Sequence, residues 1–156
     1  MVIRSVNRAT KFLSATSIPA AYEGVSRATR SRMQAVRGRD TDPEMRVRRA
    51  LHALGYRFRL HRKDLPGTPD VVLPRHRKIV LVHGCFWHGH EHCKRATVPV
   101  NNAETWRAKI RGNQNRDSRN LTALRELGWD VLIVWECEVR DSAQLTNRLR
   151  DFLSTH

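Results

Sequence analysis

The stretch LVHGCFWHGHEHC, from Leu81 to Cys93, contains four histidines, two cysteines and two large aromatic residues. Zinc is bound in proteins mainly by cysteine sulfur and histidine nitrogen, in tetrahedral sets of four. Cys85 and Cys93 enclose three of these histidines: His88, His90 and His92. The remaining cysteine of the chain, Cys137, follows a strongly apolar segment. One histidine and all three cysteines would make a structural zinc site. The alternative is that Cys137 is a small buried apolar residue and the histidines are solvated.

A second metal centre is indicated by PGTPD, which ends in Asp70 at the start of a strand candidate. This arrangement resembles PD-(D/E)xK nucleases, in which carboxylates supply the hard oxygen ligands that Mg²⁺ needs. The acidic residue and lysine of that pattern are absent, because the second strand reads VLVHG. Asp70 would then be the main charged ligand, with a backbone carbonyl near Val82, and His83 and His88 would transfer protons. Glu44 would add a second carboxylate. The alternative is that both residues are structural: Asp70 only shapes a turn, and Glu44 is only a favourable charge at a helix N-terminus.

The overall charge indicates a polyanionic partner. Lysines and arginines number 29 against 15 aspartates and glutamates, so the net charge is +14 and the sequence pI is about 11.2. Nucleic acid is the first candidate, and a merely soluble basic surface is the alternative. No apolar run approaches the roughly 20 residues that cross a bilayer, and residues 1–20 lack a signal-peptide core. We therefore expect a soluble, intracellular protein of one domain.

The elements that must position these residues follow from periodicity. Residues 1–25 have no period and are interpreted as a disordered arm or an overlong start, followed by a single domain over 26–156. A helix is predicted to begin with Asp42 as its N-cap and to end at Gly55, with apolar residues on one face and arginines on the other. The segments YRFRL, TPDVVL and KIVLV predict three strands in an antiparallel meander.

The second half of the chain predicts a crossover. A long helix is expected over Ala103 to Leu127, with a kink allowed by Gly112 and its neighbouring asparagines. The segment WDVLIVWEC is apolar and long enough to be a central strand, and SAQLTNRLRDFL closes the chain as a helix. The order α, β, β, β, α, β, α gives a mixed sheet in an α/β sandwich.

Five segments in this order resemble the very short patch repair (Vsr) DNA mismatch endonucleases. They are RATRSRMQAV, LPGTPD, VHGCFWHGH, WRAKIRGNQNRD and LGWDVLIVWECE, between about Ser26 and Val139. The resemblance implies a restriction-endonuclease-like, PD-(D/E)xK-type fold: a mixed sheet flanked by helices, with a structural zinc site. It also implies a Mg²⁺-dependent enzyme that nicks double-stranded DNA at T·G mismatches left by 5-methylcytosine deamination, which initiates very short patch repair.

The resemblance also implies roles for individual residues. Asp70 and the Val82 carbonyl would bind magnesium, His83 would support the phosphate or the metal water, and His88 would be the general base. Glu44 matches an acidic active-site position. The zinc ligands would be Cys85, His90, Cys93 and Cys137. Because the loop before Cys93 is one residue longer than in the family pattern, His92 is the alternative to His90.

Three aromatic residues match those that enter the base stack beside the mismatch: Phe86, Trp87 and Trp106. Unstacking costs least at a mismatch, and stacking on an aromatic ring returns about 1–3 kcal/mol per base. Trp106 has an alternative as a core residue of its helix. The basic segment 26–41, with Arg27, Arg30 and Arg32, would contact DNA phosphates, or would be a solvated tail.

Three functions therefore compete. The first is the mismatch-specific nicking endonuclease, acting as a cytoplasmic, nucleoid-associated monomer, with mismatch-repair proteins as further partners. The second is an endonuclease of the same fold without mismatch specificity. The third is a zinc-stabilised DNA-binding module without catalysis.

Overall fold

The computed structural model describes Arg27 and residues 38–155. Its helices are α1 (Asp42–Ala53), α2 (Ala103–Glu126) and α3 (Ser142–Ser154), and its strands are β1 (Arg59–Leu60), β2 (Val71–Leu73), β3 (Lys78–His83) and β4 (Asp130–Trp135). The predicted order of helices and strands is confirmed. The predicted arm over 1–25, Arg30 and Arg32 lie outside the described residues, and Arg27 is exposed. No helix within the described residues is long and apolar enough to cross a membrane.

The sheet has the order β1-β2-β3-β4. The first three strands pair antiparallel, which confirms the meander, and β4 joins β3 in parallel. The prediction that β4 is central is wrong for residues 38–155, where it forms an edge of the sheet. Its apolar sequence has another cause: Val134 packs with residues of α1 and α3, and Val131 packs on the opposite face with Leu124 of α2. Helices thus cover both faces of this edge strand.

The first helix departs from expectation at its N-terminus. Thr41, not Asp42, is the N-cap, because its backbone is extended and its hydroxyl oxygen accepts from the Glu44 N–H at 3.5 Å. Glu44 in turn accepts from the Thr41 hydroxyl at 2.9 Å and from the Asp40 N–H at 3.0 Å. This is a variant of the capping box, in which Glu44 accepts from the N–H of Asp40 and not from the N–H of the N-cap residue. Arginines do not all lie on the exposed face, since Arg48 is 7% exposed and paired with Glu44.

The second helix is continuous through Gly112 and its neighbouring asparagines. It ends at Glu126, and Leu127, which the pattern placed on the apolar face, is 52% exposed. Trp106, Ile110 and Leu124 supply the buried side. The helix also supplies Asn113, Asp117 and Asn120 to the lining of the site described next.

Candidate active site and metal centres

The candidate site lies where β3 and β4 end. His83 and Trp135 are the last residues of these strands and are register partners. The loop after β3 turns back over them, with the His88 N–H bonded to the Gly84 carbonyl at 3.2 Å and the His90 N–H to the Cys85 carbonyl at 2.9 Å. One short loop thus brings histidines and cysteines to both strand ends.

Cys85, His90, Cys93 and Cys137 form one cluster, which we call the Cys/His cluster. One ligand atom from each lies within 4.8 Å of all the others, and Cys137 Sγ is 3.4 Å from His90 Nδ1. Cys137 reaches this point because β4 runs parallel to β3 and ends beside it. Three sulfurs and one imidazole nitrogen are the soft donors that tetrahedral zinc takes, so the residues fit that metal.

The thiols of this cluster differ in their acidity. Burial raises the pKa of Cys85 to about 12. The backbone N–H of Arg95 is the main cause that lowers the pKa of Cys93. Because thiolates are the forms that bind metal, a cation among these sulfurs would release protons on binding. His92 is outside the cluster: it is exposed and has a left-handed backbone with φ of 56°.

A second cluster consists of His83, His88 and Asp117, whose ligand atoms also lie within 4.8 Å of one another. The imidazoles of His83 and His88 are stacked, with centroids 4.0 Å apart and planes 11° apart. His88 Nδ1 is 2.5 Å from Asp117 Oδ2. A carboxylate on Nδ1 fixes the tautomer and leaves Nε2 as the proton acceptor. Burial, and next the His88 charge, lower the pKa of His83 to about 4, so His83 is neutral at pH 7.

Asp117 was missed as a site residue in the sequence, although it lies in one of the segments that resemble the family. Asn113, one of the two asparagines that seemed to weaken α2, lies on the same helix face as Asp117. Asn113 Nδ2 donates to the Trp87 carbonyl at 2.8 Å, and Gln114 Nε2 donates to the His88 carbonyl at 3.3 Å. Polar residues at 113, 114 and 117 share a helix face, which was the available signal. They hold the histidine loop against α2.

Asp70 directly precedes β2 and reaches across to β3. Its Oδ2 accepts from the Val82 N–H at 2.8 Å. Burial raises the pKa of Asp70 and the Val82 N–H partly offsets that effect, while the Glu44 charge raises the pKa further. A carboxylate and a neighbouring backbone carbonyl are hard oxygen donors. Because Mg²⁺ is usually held by one or two carboxylates together with substrate phosphates, these residues fit that ion.

Glu44 forms the far wall of the site. It is 5% exposed, and Arg48 Nη2 donates to its Oε2 at 2.9 Å. His61 Nε2 is 3.8 Å from the same oxygen, and His61 has a left-handed backbone with φ of 45°. The capping-box bonds occupy Glu44 from the other side. The carboxylate is therefore fixed in a network of donors.

A cavity of about 750 Å³ joins these groups. Asp70, His83, His88, Asp117 and Glu44 all line it, and Trp87 forms part of its rim with Arg39, Arg116 and Asn120. The residues predicted for magnesium binding and proton transfer are thus together in one space. None of the four residues of the Cys/His cluster lines this cavity.

The three predicted wedge aromatics form a second cluster. Phe86 and Trp87 are in edge contact at 5.1 Å between centroids, and each also contacts the Trp106 ring, at 5.7 and 6.2 Å. Trp106 is 2% exposed, whereas Phe86 and Trp87 are partly exposed. In this conformation Trp106 is therefore the support on which the other two rings rest.

Comparison with known proteins assigns the family. A family model described as DNA mismatch endonuclease Vsr matches residues 23–95. The chain is 52% identical over 121 residues to the type II nicking enzyme V.XorIIP of Xanthomonas oryzae pv. oryzae, and the aligned region covers 78% of this chain and 88% of that protein. It is 46% identical over 122 residues to the DNA mismatch endonuclease Vsr of Escherichia coli K12, which covers 78% of each protein. The chain belongs to the Vsr family. The prediction of a DNA endonuclease is confirmed at this level.

A structural comparison supports the fold independently. The catalytic domain of the homing endonuclease I-Bth0305I superposes with a TM-score of 0.52 at 21% identity, covering 72% of this chain and 94% of that chain. At this identity the likeness concerns the fold alone. The Vsr chain therefore shares the arrangement of its mixed sheet and helices with a domain of a different endonuclease.

Proposed function

We propose that this Vsr chain is a mismatch-specific endonuclease that nicks one strand of double-stranded DNA at a T·G mismatch arising from 5-methylcytosine deamination, and so initiates very short patch repair. The observation that carries the proposal is the His88–Asp117 pair, stacked on His83 and facing the cavity that Asp70 lines. This combination supplies a proton acceptor and a partly buried carboxylate in one cavity. It is what hydrolysis of a phosphodiester needs.

In this mechanism each residue has a defined task. His88 Nε2 takes the proton of the attacking water, and Asp117 holds the imidazole in the required tautomer and stabilises the imidazolium that forms. Neutral His83 supports the His88 ring and donates or accepts a hydrogen bond at the phosphate. Glu44 orders the wall opposite through Arg48 and the capping box.

We propose that the protein binds two metal ions. Magnesium would be held by Asp70 and the Val82 carbonyl, and when bound it would supply positive charge at the scissile phosphate. Zinc would be held by Cys85, His90, Cys93 and Cys137 as a structural ion closed by four protein ligands. In this proposal the scaffold is the restriction-endonuclease-like fold, and the zinc fixes the end of β4 against the histidine loop.

Mismatch recognition is assigned to the exposed aromatics. Phe86 and Trp87 would enter the base stack, with Trp106 behind them, and unstacking is cheapest where pairing is already weak. Lys109 Nζ lies 5.4 Å from the centroid of the Trp87 ring, which adds a cation beside the wedge. The basic segment 26–41 would contact phosphates. The charge of +14 predicts steep salt dependence of this binding.

The test is nicking by the purified protein with Mg²⁺ on T·G, matched and other mismatched duplexes, in randomised flanking sequence. Asp70→Ala should abolish cutting, and Asp64→Ala, an exposed aspartate of the same segment, is the matched control that should retain it. A nick confined to the thymine strand of T·G is the expected result. Mg²⁺-dependent cutting without mismatch preference would instead favour the second function, an endonuclease without this specificity. The relative V.XorIIP, named a type II nicking enzyme, keeps that candidate open.

The zinc proposal has its own test, by metal analysis of purified variants. Cys137→Ser and His90→Gln should each lose bound zinc and destabilise the fold, because a structural zinc contributes on the order of 10 kcal/mol. His92→Gln is the matched control and should keep one equivalent. A folded His90→Gln protein with a full equivalent of zinc would contradict the ligand assignment.

A further inference from the structure

Two stacked ring pairs cover the ends of the parallel strands. His88 stacks on His83 with centroids 4.0 Å apart, and His90 stacks on Trp135 with centroids 4.1 Å apart and planes 4° apart. The two pairs touch, because the His83 and Trp135 rings are in edge contact at 5.4 Å. A continuous column of four rings, which we call the ring column, therefore joins the Cys/His cluster to the catalytic histidines.

The ring column follows from the fold. His83 and Trp135 are register partners at the ends of β3 and β4, so their side chains stand next to each other on the sheet. The Glu136 N–H donates to the His83 carbonyl at 2.9 Å and fixes this pairing beyond the last residue of β4. The loop after β3 then supplies one ring for each strand end, His88 for His83 and His90 for Trp135.

We propose that Trp135 is a positioning residue that couples the Cys/His cluster to the catalytic histidine pair. The proposal rests on the proposed function of that pair. His90 is held by the cluster, and its ring face fixes the tilt of the Trp135 ring. The edge contact between Trp135 and His83 fixes the His83 ring, and the face of His83 fixes His88 opposite Asp117. Because interior side chains are close-packed and ring pairs prefer stacked or edge geometries, we expect a change in the tilt of one ring to shift the others.

Trp135 does not line the cavity of the candidate active site. Its replacement should therefore leave Asp70, Asp117 and the exposed aromatics in position and disturb only the orientation of the histidine rings. A displacement of a catalytic group by about 1 Å lowers the reaction rate on the order of 100-fold. We expect a loss in kcat with little change in the affinity for DNA.

The experiment compares Trp135→Leu and Trp135→Phe with Trp129→Leu as the matched control. Trp129 precedes the opposite end of β4, is 6% exposed and packs against Leu124 and Ile79. It therefore controls for the loss of a buried tryptophan from the same sheet. The measurements are single-turnover nicking of a T·G duplex, duplex affinity, zinc content, and the imidazole ¹H–¹⁵N signals of His83 and His88.

Trp135→Leu should lower kcat at least about tenfold, keep the dissociation constant for the duplex within about twofold, retain one equivalent of zinc and displace the His88 signals. Trp135→Phe should retain most of the rate, because it keeps an aromatic ring in contact with both His90 and His83. Trp129→Leu should lose stability and keep its kcat below its melting temperature.

Two results would overturn the coupling. One is a Trp135→Leu protein with unchanged kcat and unmoved His88 signals. The other is loss of rate only in parallel with loss of zinc, which would make Trp135 a support of the cluster alone. If the wild-type protein nicks no duplex, the proposed function fails, and the His88 signals still decide the coupling, since His88 stacks on His83 and reports Trp135 only through that ring.

Discussion

Asp117 is the carboxylate that contacts His88, and the structure allows an estimate of how much its replacement lowers the nicking rate. Asp117→Asn keeps the shape of the side chain but removes the charge from a 2.5 Å contact to His88 Nδ1. A hydrogen bond to a charged group contributes about 1.5–3 kcal/mol. At about 1.4 kcal/mol per factor of ten, its loss in the transition state corresponds to a rate decrease of about 10- to 150-fold. His88→Ala removes the base itself and should cost about 10² to 10⁴.

The assay is single-turnover nicking of a T·G duplex at saturating Mg²⁺, with Asp151→Asn as a control on the exposed side of α3. Because Asp117 acts through His88, the double variant His88→Ala/Asp117→Asn should be no slower than His88→Ala alone. Additive losses in the double variant would show that Asp117 acts independently of His88. An Asp117→Asn rate within about twofold of wild type would refute its assigned role.

Three further predictions concern the buried groups around the cavity. Asp70→Asn should abolish nicking yet raise the melting temperature at pH 7. Burial raises the pKa of Asp70, so ionisation of this carboxyl opposes folding above that pKa, and the gain in melting temperature should vanish below about pH 4, where both the folded and the unfolded carboxyl are protonated. A lower melting temperature of Asp70→Asn at pH 7 would contradict this reasoning. Arg48→Met should reduce the free energy of unfolding in urea by about 3–5 kcal/mol, because it leaves Glu44 buried without its cation, and a loss below about 1 kcal/mol would argue against the buried pair. Trp106→Ala should cost about 3–5 kcal/mol of stability, because it removes a buried core side chain. Trp87→Ala should reduce the preference for T·G over matched duplex more than Trp106→Ala does. Equal and small effects of the two substitutions on this preference would contradict the proposed wedge.

The parts of the fold that the sequence predicted are those set by local periodicity. Alternating and β-branched segments gave the meander, and the apolar segment before Cys137 gave the strand that arrives by crossover. The edge position of β4 could not be read from its composition. An apolar run reports that both faces are covered, and here two layers of helices cover an edge strand.

The sequence predicted those residues of the candidate site that lie close together along the chain. It was less able to predict residues that reach the site only through tertiary contacts. Cysteines and histidines within one loop indicated a metal cluster, and a single parallel pairing brings Cys137 to it. Asp117 lies 29 residues from His88 and meets it only because α2 crosses the loop. Arg48 was assigned to the exposed face because a charge at that position is normally solvated, and its burial depends on partners from two other segments, Asp40 and His61.

The proposed function requires that the residues around the cavity beside His88 cut DNA at a T·G mismatch. The most direct measurement is the ratio of single-turnover nicking rates on two duplexes that differ only in one base pair, T·G against A·T, with Mg²⁺ and in the flanking sequence that is cut fastest. We expect a rate on T·G at least about 100-fold higher, with the nick on the thymine strand, since insertion of the aromatic wedge is favourable only where unstacking costs little. Equal rates on the two duplexes would contradict it.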